Sequence, residues 1–98
     1  LNYGKIKMEI NRRSVKVDNK AISIGPLEFK LLQVLLESPK RVFSRSQLLE
    51  KIWTENLEVE TRTVDVHIGR LRKAIKSVSD DNLVKTVRGF GYSLDDST

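Results

Sequence analysis

A chain of 98 residues with no cysteine and one histidine, His67, has room for a single small core, but not for a disulfide framework, a thiolate metal site or a histidine-rich metal centre. Hydrophobic residues make up 39%, too many for a disordered chain; no apolar run exceeds three residues, so nothing reads as a membrane span or a signal peptide. The formal charge of +5 favours a polyanionic partner without establishing one.

The first third reads as strands. Lys5-Ile6-Lys7-Met8-Glu9-Ile10 alternates charged and apolar residues, the period of a half-buried strand. Asn11-Arg12-Arg13 is expected to turn, Ser14-Val15-Lys16-Val17 to alternate again, Asp18-Asn19-Lys20 to turn, and Ala21-Ile22-Ser23-Ile24 to close an antiparallel sheet. At Gly25 the period changes. Gly25 can cap, Pro26 suits the first helical position and Glu28 sits beside the positive end of the helix dipole. The helix is expected to run to about Glu37 and, with little polar face, to be central; Pro39 stops it.

Ser44-Arg45-Ser46-Gln47 has the spacing of a capping box and opens a second helix bearing Leu48, Leu49, Ile52 and Trp53. An acidic loop follows at 54–60, with Glu55, Glu58 and Glu60 and no base. A third helix is expected from about Thr61 to Ser77. Arg62, Arg70, Arg72, Lys73 and Lys76 oppose a lone acid there, Asp65. Residues 83–94 read as a hairpin whose turn, Arg88-Gly89-Phe90-Gly91, uses glycine for positive φ. There is no internal repeat and no low-complexity tract.

At 100° per residue, Val64, Ile68, Leu71 and Ile75 form one narrow stripe that must bury. Thr63, Val66, His67 and Arg70 fall on another face, small and mostly polar, that suits a major groove. Arg70 can donate to guanine O6 and N7, and the Thr63 and Val66 methyls can meet a thymine methyl. His67 can donate to a phosphate, with Arg62 and Arg72 flanking. Taken alone, such a helix is more commonly an amphipathic one with a solvated basic face, and Arg88 a solvated turn residue. The combination of basic helix and Arg88 beside Gly-Phe-Gly on a hairpin raises the nucleic-acid reading, because an arginine can enter a narrow minor groove. Trp53 reads equally as a rim tryptophan or as an indole N–H offered to a phosphate. Asp65 is expected to orient Arg72 or Arg62.

The string Arg62-Thr63-Val64-Asp65-Val66-His67-Ile68, continuing Arg70-Leu71-Arg72-Lys73 and followed by Thr86-Val87-Arg88-Gly89-Phe90-Gly91-Tyr92, resembles the effector domain of the OmpR/PhoB family of response regulators. So do Glu28-Phe29-Lys30-Leu31-Leu32 and Ser44-Arg45-Ser46-Gln47-Leu48-Leu49. The order of elements agrees from about Tyr3 to Leu94, and the likeness is greatest to the phosphate-regulon type. The resemblance implies an α+β winged helix-turn-helix: a four-stranded antiparallel N-terminal sheet, three helices and a C-terminal β-hairpin wing, all in one domain over residues 1–98.

It further implies sequence-specific duplex DNA binding for transcription regulation in a cytoplasmic two-component phosphorelay, with no cofactor. Because the chain begins at Leu1 rather than Met, it is expected to be a piece of a longer protein. An N-terminal receiver domain, phosphorylated by a sensor kinase, would dimerise that protein on tandem direct repeats. By position, Thr63, Val66 and Arg70 approach bases; Trp53, Arg62, His67 and Arg72 hold phosphates; Thr86 and Arg88 belong to the minor-groove wing. Thr54, Glu55, Glu58, Val59 and Glu60 would meet the RNA polymerase sigma subunit.

This sequence departs from the pattern at Gly69 and Ser93, where bases are common; both bear on affinity more than on fold. A second reading, a winged helix used as a protein-interaction module, is motivated by the acidic loop and by Gly69. An enzyme is disfavoured, since no paired carboxylates, metal spacing or nucleophile–base set stands out.

Overall fold

Alternation in the first third becomes an antiparallel meander with one face against the helices. The structure is a computed structural model that describes residues 1–52 and 62–96, and of Arg62 only the backbone. β2 (Ile6–Glu9) pairs β3 (Ser14–Val17) with Ile6 opposite Val17 and Met8 opposite Val15, and all four side chains are buried. Asp18 and Asn19 both take positive φ, 54° and 64°. Their two-residue turn matches the right-handed twist of the flanking strands. Lys20, expected in the turn, therefore already opens β4 (Lys20–Ile22), which ends two residues earlier than the alternation implied.

The fourth strand is β1 (Asn2–Tyr3), only two residues long and paired with β2. Leu1 and Met8 exchange backbone hydrogen bonds at its outer end, both 2.8 Å. Two residues carry no alternation to read, so this strand is implied by the family resemblance alone.

α1 (Pro26–Glu37) starts as expected, with Gly25 as N-cap, Pro26 in the first turn and Phe29 N–H donating to Gly25 O at 2.9 Å. Leu31, Leu32 and Leu35 are fully buried, which makes α1 the central helix. The capping box at the next helix is complete. Gln47 N–H donates to Ser44 Oγ (3.1 Å) and Ser44 N–H to Gln47 Oε1 (2.9 Å), opening α2 (Arg45–Ile52). α3 (Arg62–Lys76) buries Val64, Ile68, Leu71 and Ile75, the stripe its periodicity assigned to the core.

The hairpin of β5 (Val84–Val87) and β6 (Gly91–Leu94) follows, with Thr86 opposite Tyr92 and Val87 opposite Gly91. It is also tied to the segment before α2. Phe43 N–H donates to Tyr92 O (2.8 Å), Tyr92 N–H to Phe43 O (2.9 Å), and Lys40 N–H to Leu94 O (2.7 Å). The sequence gives no sign of this third pairing, because Val42-Phe43 is too short to show a period. At the other end, Lys5 and Asp81 form an ion pair between the sheet and the α3–β5 connection; at about half exposure it adds little stability.

Candidate nucleic-acid interface

α3 lies between α1, α2 and the hairpin, and each neighbour takes one flank of it. On the hairpin flank, Arg72 donates from Nε and Nη2 to Val84 O (3.0 and 2.9 Å) and from Nη2 to Thr86 Oγ1 (2.6 Å). Its guanidinium also lies 5.4 Å from the Tyr92 ring centre, close enough for cation–π attraction. Two turns earlier, Asp65 accepts from Arg45 Nε at 2.8 Å and from the Tyr92 hydroxyl. Burial pushes the Tyr92 hydroxyl above the usual phenol range, and its bond to the Asp65 carboxylate adds to the shift. The phenol thus stays a donor at neutral pH. Asp65 therefore orients Arg45 and Tyr92, joining α2, α3 and β6, and not Arg72, one of its two expected partners; the other, Arg62, has its side chain outside the described residues.

On the α1 flank, His67 is 8% exposed, with Nδ1 3.4 Å from Glu28 Oε2. Arg70 Nη1 stands 4.0 Å from the other oxygen of the same carboxylate, Glu28 Oε1. Glu28 is itself 6% exposed, although its position in the first turn of α1 read only as a dipole partner.

What remains open to solvent is a ridge of Val66, Gly69, Arg70, Lys73 and Lys76, with Thr63 half-buried at its edge. Its centre falls between Val66 and Gly69, rotated away from the face expected from sequence. The cause is α1, whose Glu28 end covers the His67 side. Two of the expected phosphate ligands are set apart from the ridge by this rotation and by the hairpin contacts: His67 is not on the open surface, and the Arg72 fork is engaged within the fold. Lys73, an exposed base on the ridge, was not singled out. Its place in the wheel, opposite the buried stripe, was the available signal.

Beyond α3 the hairpin turn projects, with Arg88 exposed and Phe90 72% exposed. An open groove separates this turn from the start of α2, lined by Ser44, Arg45 and Ser46 on one side and Arg88 and Phe90 on the other. An aromatic between two turn glycines has no core to enter, which accounts for the exposure of Phe90. Among the described residues no group of acids and His67 could hold a metal, and no helix is long and apolar enough to cross a membrane.

Residues 19–94 match the family described as transcriptional regulatory protein, C terminal. The chain belongs to this family, the DNA-binding effector domains of OmpR/PhoB response regulators. The effector domain is 46% identical to the phosphate regulon transcriptional regulatory protein PhoB of Rhizobium meliloti (strain 1021), over 97% of this chain and 42% of that protein. It is also 46% identical to PhoB of Escherichia coli (strain K12), over 89% of this chain and 38% of that protein. The chain thus spans about two-fifths of the length of these relatives.

Among solved structures, the DNA-binding domain of the response regulator AdeR in complex with an intercistronic region superposes with a TM-score of 0.89. It is 28% identical and covers 99% of this chain and all of that one. The Klebsiella pneumoniae RstA DNA-binding domain in complex with the RstA box follows at 0.82 and 25% identity, covering 99% and 97%. The effector domain has the winged-helix fold that the motifs implied, with β5–β6 as the wing.

Several expected site residues of the effector domain lie outside the described residues: Trp53, Thr54, Glu55, Glu58, Val59 and Glu60, and the side chain of Arg62. Of the rest, Val66, Arg70 and Arg88 are exposed, Thr63 sits at the ridge's edge, and Thr86 is exposed on β5 with its oxygen accepting from Arg72. At Gly69 an added Cβ would meet nothing within 4 Å. The helix penalty of this glycine, about 1 kcal/mol relative to alanine, has no packing reason in this fold.

Proposed function

We propose that this effector domain binds duplex DNA sequence-specifically to regulate transcription in a cytoplasmic two-component phosphorelay, with α3 in the major groove and the β5–β6 wing in the minor groove. The observation that carries the reading is the solvent-facing α3 ridge. Arg70, Lys73 and Lys76 line it, and the wing carries a further exposed base, Arg88. A helix ridge fits the width of the major groove, and an arginine at a turn fits the minor groove, where the potential is most negative. The AdeR domain in complex with an intercistronic region and the RstA domain in complex with the RstA box support the DNA-binding part of this reading.

Within it, Arg70 reads a guanine edge and Thr63 and Val66 contact thymine methyls. Arg62 and Trp53, with Lys73 added, hold phosphates, and Thr86 keeps its hydroxyl hydrogen for one. His67 and Arg72 support α3 from its two flanks. Tandem binding follows from an attached receiver domain that dimerises on phosphorylation by a sensor kinase.

The first test is a selection from randomised duplex DNA at near-physiological salt. Enrichment of a direct repeat spaced by about one helical turn is expected. In Arg70→Ala the preference at one position per half-site should relax, with a loss of roughly 1–3 kcal/mol in specific affinity. No enrichment, with binding that vanishes as salt rises, would leave only the phosphate term and favour the protein-interaction module instead.

The acidic stretch 54–60 is proposed to meet the RNA polymerase sigma subunit, since three glutamates without a base are repelled by DNA. Replacing Glu58 and Glu60 by glutamine should lower transcription in a reconstituted assay and leave DNA affinity equal or slightly higher. A collapse of affinity would make the stretch a DNA contact instead.

A further inference from the structure

We infer that Glu28, on α1 and away from the exposed ridge, is a positioning residue for base reading: its buried carboxylate fixes the guanidinium of Arg70. This rests on the reading in which Arg70 contacts a base. The geometry is a carboxylate held 6% exposed between two groups of α3. Oε1 lies 4.0 Å from Arg70 Nη1 and Oε2 lies 3.4 Å from His67 Nδ1. A buried carboxylate without a nearby cation is costly, so the Arg70 charge is drawn towards it.

The Arg70 side chain, by contrast, is 65% exposed, a long chain that would otherwise sample many rotamers. Guanidinium carries five donors in a fixed plane. With Nη1 turned to Glu28, the remaining edge stays free to form the two parallel bonds a guanine accepts. Holding that edge before DNA arrives reduces the ordering cost of binding. It also keeps the group off the phosphates, which would take it in any sequence. Gly25 is part of the same arrangement. A Cβ there would stand 2.8 Å from Glu28 Oε2, so the glycine cap leaves the carboxylate its place.

The test runs the randomised-duplex selection on this chain and on Glu28→Gln, Glu28→Asp, Arg70→Ala and the Glu28→Gln/Arg70→Ala double variant. Non-specific affinity on a random-sequence duplex is measured across salt, and thermal melting confirms that each variant is folded. Glu28→Gln keeps shape and removes charge, and should lower the guanine preference at the Arg70 position about three- to ten-fold. Preferences at other positions should hold, and non-specific affinity should stay equal or rise. Glu28→Asp, which keeps the charge but withdraws it, should act in the same direction and less. In the Arg70→Ala background, Glu28→Gln should change nothing further.

A uniform loss at all positions, or a Glu28→Gln effect that persists without Arg70, would overturn the inference and make Glu28 a packing residue. If Arg70→Ala shifts the preference and Glu28→Gln does not, the inference falls while the base-reading role stands. If Arg70→Ala leaves every preference intact, both fall.

Discussion

Gly91→Ala is expected to destabilise the domain by about 4 kcal/mol, whereas Gly89→Ala, two residues away in the same wing, should cost only about 1–2 kcal/mol. Both glycines have positive φ, 151° and 82°, so both substitutions are strained. They differ in what a methyl group would meet. Around Gly89 there is nothing within 4 Å, while at Gly91 the added Cβ would stand 1.9 Å from Phe43 O, a backbone atom. That oxygen accepts from Tyr92 N–H at 2.9 Å, in the reciprocal pair that anchors the wing to the start of α2. Relief of the clash must part the two segments and surrender both bonds, each worth about 1 kcal/mol net.

A domain of this size shifts its Tm by about 4–8 °C per kcal/mol, so the two variants should melt about 8–24 °C apart. Equal melting temperatures would mean that β6 can move off Phe43 freely and that the wing is not anchored there.

The same contrast bears on what the sequence could disclose. Features carried by neighbours in the chain were legible: the capping box of Ser44 and Gln47, the buried stripe of α3, and the turn glycines of the wing. Each depends on spacing within about fifteen residues, where helix or strand period fixes which side chains share a face. The flanks of α3 were not legible, because a wheel gives an angle and not the neighbour that covers it. His67 lay on the expected open face until α1 closed that side with Glu28, thirty-nine residues earlier in the chain. Asp65 meets Arg45 and Tyr92 at separations of 20 and 27 residues, and no local pattern marks either partner. Arg72 shares the angle of Asp65 and read as a phosphate ligand, since a base at the edge of a basic helix carries no sign that a hairpin will fold over it. The family resemblance supplied the fourth strand, which two residues of sequence could not.

Arg72 is where these two kinds of reading diverge most, and Arg72→Met separates them. Methionine keeps the apolar stem and removes the fork, so the variant loses the bonds to Val84 O and Thr86 Oγ1 and the attraction to the Tyr92 ring. Charge-assisted hydrogen bonds are worth about 1.5–3 kcal/mol each when intact, and the cation–π contact about 0.5–1 kcal/mol at a partly exposed site. Solvent at this half-buried position would replace part of the loss, leaving an expected destabilisation of about 2–3 kcal/mol and a fall in Tm of roughly 10–20 °C.

Binding to a random-sequence duplex tells the rest. A phosphate ligand contributes about 0.9 to the slope of log affinity against log salt. A side chain whose donors stay on the wing contributes none of this directly, so Arg72→Met should melt low and keep the wild-type slope when measured below its melting range. The opposite pair of results, an unchanged Tm with a slope shallower by about one, would mean that Arg72 leaves Val84 and Thr86 for the phosphate backbone on binding. The wing would then be released at the moment of DNA contact, and its orientation in the free domain would not be the one that enters the minor groove.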